Sequence, residues 1–104
     1  MREVDLTAFA AAHNEGAVVI DVREPGEYVS GHVPGARLMP LGRLPHHLGE
    51  LPRDRCVYVI CASGNRSKAA AELLARAGVD AVSVAGGTGG WQQAGRPVTL
   101  GTRP

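Results

Sequence analysis

The chain has 104 residues, 44% of them apolar and 20% charged, with 11 Lys and Arg against 10 Asp and Glu. That length suits one domain and is enough for a core that needs no disulfide staples. The near-neutral balance, net charge +1, excludes the dense basic face of a general nucleic-acid binder but leaves room for a small pocket for one anion.

Asp5 is an N-cap candidate, and Leu6, Phe9, Ala10 and His13 follow at helical spacing until Gly16 stops the run. Residues 17–22, Ala-Val-Val-Ile-Asp-Val, are short, apolar and β-branched, so they predict a buried strand. Residues 23–40 carry Pro25, Gly26, Gly31, Pro34 and Gly35. They predict loop, with a helical turn over 27–30 and a short strand over 36–39. Leu41, Leu44, Leu48 and Leu51 keep a helical period despite Pro45, and a short helix ending before Pro52 is expected.

Residues 56–61, Cys-Val-Tyr-Val-Ile-Cys, predict the second strong strand, and 62–65 a tight polar loop. Residues 66–77 form the clearest helix. Ala69, Ala70, Leu73, Leu74 and Ala77 make its apolar stripe, Glu72 and Arg76 form an i,i+4 pair, and Gly78 stops it. A further strand is expected over 81–84, a glycine-rich turn over 86–90, a short helix over 91–94 and an extended tail from Arg96. Strands that are apolar on both sides and alternate with helices imply a small open α/β sheet, mainly parallel, with helices on both faces. Its core is expected over about residues 17–98, with a tail over 99–104.

The two cysteines, Cys56 and Cys61, lie five apart. On one strand that spacing sends them to opposite faces, so no bond between them is expected. Free thiols fit a reducing compartment, and a cytoplasmic location is the expectation. Residues 1–15 are charged at Arg2, Glu3 and Asp5 and do not read as a signal peptide. No apolar run approaches the roughly 18 residues of a membrane span.

Ligands of open α/β sheets bind at the carboxyl ends of the strands, which points to Cys61. Behind it come Ala62, Ser63, Gly64, Asn65, Arg66 and Ser67, and then the best helix. A short loop wrapping from a strand end to a helix start turns its N–H groups inward as an anion nest, and the helix dipole adds to it. Gly64 can supply the positive φ such a loop needs. A sulfur at the centre is held as thiolate, and Arg66 either closes the cradle or binds an incoming oxyanion. The competing reading is a packed core cysteine at the start of an ordinary helix.

The segment 61–67, Cys-Ala-Ser-Gly-Asn-Arg-Ser, resembles the Cys-x-x-Gly-x-Arg-Ser active-site loop of the rhodanese-like family. Residues 21–25 with Glu27 and Tyr28, the Gly-His-Val-Pro-Gly-Ala run at 31–36, and Gly86-Gly87 with Trp91 resemble further family motifs in the family's order. The resemblance spans Val18 to about Pro97. It implies a sulfurtransferase. Cys61 would take sulfane sulfur from thiosulfate or another donor as a persulfide, cradled by residues 62–67. A thiol or cyanide acceptor, with thioredoxin and glutathione as candidates, would then remove it. No metal or organic cofactor is implied, nothing requires more than a monomer, and no nucleic-acid or membrane partner is expected.

Related cell-cycle phosphatases and arsenate reductases carry one more residue between Cys and Arg, whereas Cys61 to Arg66 inclusive is six residues. The shorter loop fits a single sulfur atom, and no acid in it could protonate a leaving alcohol. A catalytically silent module used for binding is the other alternative, but Cys61, Gly64 and Arg66 are all kept. Ala62 stands where many thiosulfate-using relatives carry a larger or charged residue, which opens the site to a bulkier donor or a protein persulfide. Asp21 and Arg23 are expected to support the loop from behind. His32 is expected to pack and hydrogen-bond, Trp91 to lie in the core and Cys56 to be buried and inert. His46 and His47 lack ligand-spaced partners for a metal. Lys68 either attracts an anionic donor or is a solvated surface residue.

Overall fold

The computed structural model describes residues 2–104. Its sheet has five strands: β1 (Arg2–Val4), β2 (Val18–Asp21), β3 (Arg37–Leu38), β4 (Val57–Ile60) and β5 (Ala81–Val84), in the order β1-β5-β4-β2-β3. Every neighbouring pair is parallel, with Ile20 beside Val59 and Val57 beside Ala81 at the centre. Each crossover must therefore carry the chain over a face of the sheet, and the helices do so. These are α1 (Leu6–Asn14), α2 (Pro25–Val29), the 3-10 helix Leu41–Glu50, α3 (Asn65–Arg76) and α4 (Gly87–Gln93).

Alternation along the strands feeds two apolar layers. Ile20, Val22, Val57, Val59 and Cys61 face Leu44, Ala70, Ala71 and Leu74 of the 3-10 helix and α3. Val19 and Ile60 face Phe9, Ala10 and Trp91 of α1 and α4. Because β4 alternates strictly, Cys61 continues onto the α3 face, which aims its sulfur at the start of that helix.

The structure differs from expectation at several places. β1 was not anticipated. Its Val4 pairs with Val84, and the sheet and core therefore begin well before residue 17. The Leu41–Glu50 segment is a 3-10 helix: Pro45 removes an N–H, and Leu41 and Leu44, three apart, both turn inward. Residues 87–90 are the first turn of α4 where a glycine turn was expected. Tight packing overrides poor helix propensity there, because a Cβ on Gly90 would sit 2.6 Å from Leu6 Cδ1.

The tail is pinned, not free. His32 and Thr99 form an antiparallel bridge, and the His32 Nε2 lies 2.7 Å from the Arg103 carbonyl oxygen. His32 is buried and its ring stacks on Tyr28. Trp91 is buried, and its indole N–H donates to the Pro97 carbonyl at 2.7 Å.

Candidate active site

β4 ends on Ile60, and Cys61 opens the loop that leads into α3. Gly64 adopts φ +109, the left-handed conformation that turns the chain into the helix without Cβ strain. The back of the loop is clamped by α4. The Thr88 and Gly89 amides donate to the Cys61 and Ala62 carbonyls at 2.8 and 3.0 Å. Gly87 lies so close that a Cβ there would come within 2.5 Å of the Cys61 carbonyl oxygen. With those carbonyls drawn backwards, loop amides are free to face the sulfur.

The Gly64 and Ser67 amides donate to Cys61 Sγ at 3.1 and 3.3 Å. Ser67 Oγ lies 3.4 Å from the sulfur and 2.7 Å from Ser83 Oγ on β5. Burial pushes the Cys61 thiol up, but donation from the Ser67 hydroxyl and from the Ser67, Gly64 and Ser63 backbone outweighs it and holds the thiol below its ordinary value. Cys61 is 1% exposed, so the sulfur is both deeply set and ringed by donors. Ser63 and Asn65 are exposed on the loop, and Ala62 is half-buried. Cys56, expected to be buried, is only half-buried, and burial and the nearby Asp80 carboxylate raise its thiol.

Arg66 has a partner already. Its Nη1 and Nη2 donate to Glu27 Oε1 and Oε2 of α2 at 2.7 and 2.8 Å. The paired guanidinium, then burial acting the other way, leave the Glu27 carboxyl at about 2. Asp21 and Arg23 form a buried bidentate pair at the end of β2, and Arg23 also reaches the Gly31 carbonyl at 2.9 Å. That pair holds the chain between β2 and the 31–36 turn and does not touch the sulfur. Lys68 faces Glu3 at 3.6 Å. His47 faces Glu50 at 2.7 Å on the surface.

Glu27, Ser83 and the Gly87–Gly89 clamp are the site residues that sequence reasoning did not assign to the cradle. Ser83 had a signal: it is the polar residue of a strand that is otherwise Ala and Val. Glu27 and Gly87 stood in recognised motifs, but their partners lie far off in sequence.

A cysteine with two backbone amides on its sulfur, set at the carboxyl edge of a parallel α/β sheet in a loop that opens a helix, defines the class of domain. The Rhodanese-like domain family matches residues 5–94, and the chain belongs to it. A protein described as a sulfurtransferase from Allochromatium vinosum is 34% identical over 84% of this chain and 82% of its own. The crystal structure of a rhodanese-related protein from Thermoplasma volcanium superposes with a TM-score of 0.90 at 36% identity, covering 97% of this chain and all of that one. A rhodanese-like domain protein from Staphylococcus aureus gives 0.83 at 31% identity, over 88% and 91% of the two chains.

Proposed function

We propose that this chain is a sulfurtransferase whose Cys61 carries the sulfur as a persulfide. The Cys61 thiolate attacks the outer sulfur of a donor. With thiosulfate, the new S–S bond forms as the bond to the sulfonate sulfur breaks, and sulfite leaves with that electron pair. A thiophilic acceptor, cyanide or a thiol such as glutathione or thioredoxin, then attacks the outer sulfur, and Cys61 departs as thiolate. The two half-reactions predict ping-pong kinetics.

The observation that carries this reading is the ring of polar contacts on Cys61 Sγ: two amides donate to it at 3.1 and 3.3 Å, and the Ser67 hydroxyl, 3.4 Å away, is placed to donate once the thiol has ionised. Such a ring stabilises the thiolate before transfer and the departing thiolate after it. The compact loop of six residues from Cys61 to Arg66 suits one sulfur better than a phosphate. Among the described residues no helix is long and apolar enough to cross a membrane. We infer a cytoplasmic monomer that works without metal or organic cofactor.

The test is mass spectrometry of the protein after incubation with thiosulfate, and separately with glutathione persulfide. One added sulfur, removed by cyanide, absent in Cys61→Ser and present in Cys56→Ser, is the expected result. No gain from either donor would favour a silent binding module. Hydrolysis of an aryl phosphate through Cys61 would favour phosphatase chemistry.

A further inference from the structure

We propose that Glu27 is a specificity-determining residue that neutralises Arg66 at the mouth of the site and so selects a neutral persulfide donor over a dianionic one. The inference rests on the sulfurtransferase reading and names the donor class that this site favours.

Three cations stand on or beside the loop, and each faces a carboxylate. Arg23 is bound to Asp21, Lys68 faces Glu3, and Arg66 is bound to Glu27 through both terminal nitrogens. The Arg66–Glu27 pair is the one at the entrance. Its partners are each a little over one-third exposed, while the sulfur lies beneath the loop. An open groove of about 630 Å³ beside the carboxyl ends of β2 and β3 is lined by Glu24, Pro25, Leu38, Pro40, Gly42 and Arg43, one charge of each sign. The side chains that line this groove carry no net positive charge to draw a dianion inward.

The geometry of the pair adds to this. A guanidinium recognises an oxyanion best through two parallel N–H donors, and Glu27 occupies that fork. A sulfonate could take the fork only by displacing a carboxylate that is itself ionised, anchored on α2 and bound at its Oε1 by the Glu24 amide at 3.1 Å. Thiosulfate carries two negative charges toward a thiolate and a carboxylate. A persulfide in its neutral R–S–SH form carries none. Its transfer balances without a counter-cation: Cys61–S⁻ and R–S–SH give Cys61–S–SH and R–S⁻. Ala62 and Ser63, half-buried and exposed, put only small side chains on the loop where an R group would pass.

Glu27 acts through Arg66 and is a positioning residue; a purely structural role would leave the donor ratio untouched. The experiment compares kcat/KM for thiosulfate and for the persulfide of an uncharged thiol, 2-mercaptoethanol, in the wild-type protein and in Glu27→Gln, with cyanide as acceptor and its direct reaction with each donor subtracted. Gln keeps an oxygen for the Glu24 amide but removes the charge. The ratio of thiosulfate to persulfide kcat/KM is expected to rise about tenfold, about 1.4 kcal/mol in transition-state terms. A ratio that stays constant, or moves toward persulfide, overturns the proposal. A second arm needs no variant. Wild-type kcat/KM for thiosulfate should hold steady or rise with added salt, because the entrance offers no free cation. A steep fall with salt would mean that Arg66 is available to the dianion, and would overturn it too. Loading from persulfide with an unchanged ratio defeats only this inference. Loading from neither donor defeats the sulfurtransferase reading with it.

Discussion

Removing the Ser67 hydroxyl isolates one donor of the cradle. Ser67→Ala keeps the amide that donates to Cys61 Sγ at 3.3 Å and deletes only the Oγ contact at 3.4 Å. A hydrogen bond to a charged group is worth roughly 1.5–3 kcal/mol. The neutral thiol also uses this contact, donating to the hydroxyl, so part of the loss cancels between the two protonation states. A net differential of about 1.4 kcal/mol corresponds to one pH unit, and the alkylation midpoint of Cys61 should rise by about that much. The absolute alkylation rate is a poorer readout, because a more basic thiolate is intrinsically more nucleophilic. The assay is the pH dependence of iodoacetamide alkylation in a Cys56→Ser background, read by mass.

Stability separates this effect from damage to the fold. Ser67→Ala leaves Ser83 Oγ buried without its 2.7 Å partner, at a cost of roughly 1–3 kcal/mol. The double variant Ser67→Ala/Ser83→Ala removes both groups, so it should regain much of that stability and still keep the raised midpoint. A midpoint that stays at the wild-type value in both variants would refute the claim that hydroxyl donation helps hold the thiolate.

Three further outcomes are expected. Gly87→Ala places a Cβ 2.5 Å from the Cys61 carbonyl oxygen at φ +57. It should cost at least about 1–2 kcal/mol by denaturant titration, from the left-handed backbone alone, and abolish persulfide loading through the displaced loop. Asp21→Ala strands the buried Arg23 guanidinium and should destabilise by about 3–5 kcal/mol in the same titration. Thr88 Oγ1 is buried without a hydrogen-bond partner among the described residues. Thr88→Val should therefore be neutral or stabilising in urea, with sulfur transfer retained; a loss of activity would give that hydroxyl a role in the reaction.

The Glu27–Arg66 pair also sets a pH signature. Glu27 is held at about 2 in the folded chain and titrates near its ordinary value of 4.5 when unfolded. A depressed carboxyl contributes stability that is present above 4.5 and is lost as the pH falls toward 2. Thermal melts through that window should show a shallower acid loss in Glu27→Gln than in the wild-type protein. Equal slopes would argue that the partly exposed pair is too well screened to matter.

Much of the site lay within one contiguous stretch and was legible there. Strand, Cys61, a loop with Gly64 and a helix of Ala and Leu at the right period form a local unit whose geometry follows from propensity, alternation and the steric freedom of glycine. A mainly parallel sheet followed from strands apolar on both sides, and the structure makes every pair parallel. What stayed hidden were associations between distant segments. Arg2–Val4 is too short and too charged to show a period, and becomes a strand only because β5 offers its open edge. Gly87, Gly89 and Gly90 read as a turn until the carbonyls of Cys61 and Ala62 and the Leu6 side chain are seen pressing against them. Most consequential is Arg66. The sequence determined that a cation would stand beside the sulfur, but only the packing of α2 against the loop decided that Glu27, 39 residues earlier, would hold it. Local chemistry is written in neighbouring residues. The balance of charge at a site depends on which remote side chain the fold brings within reach.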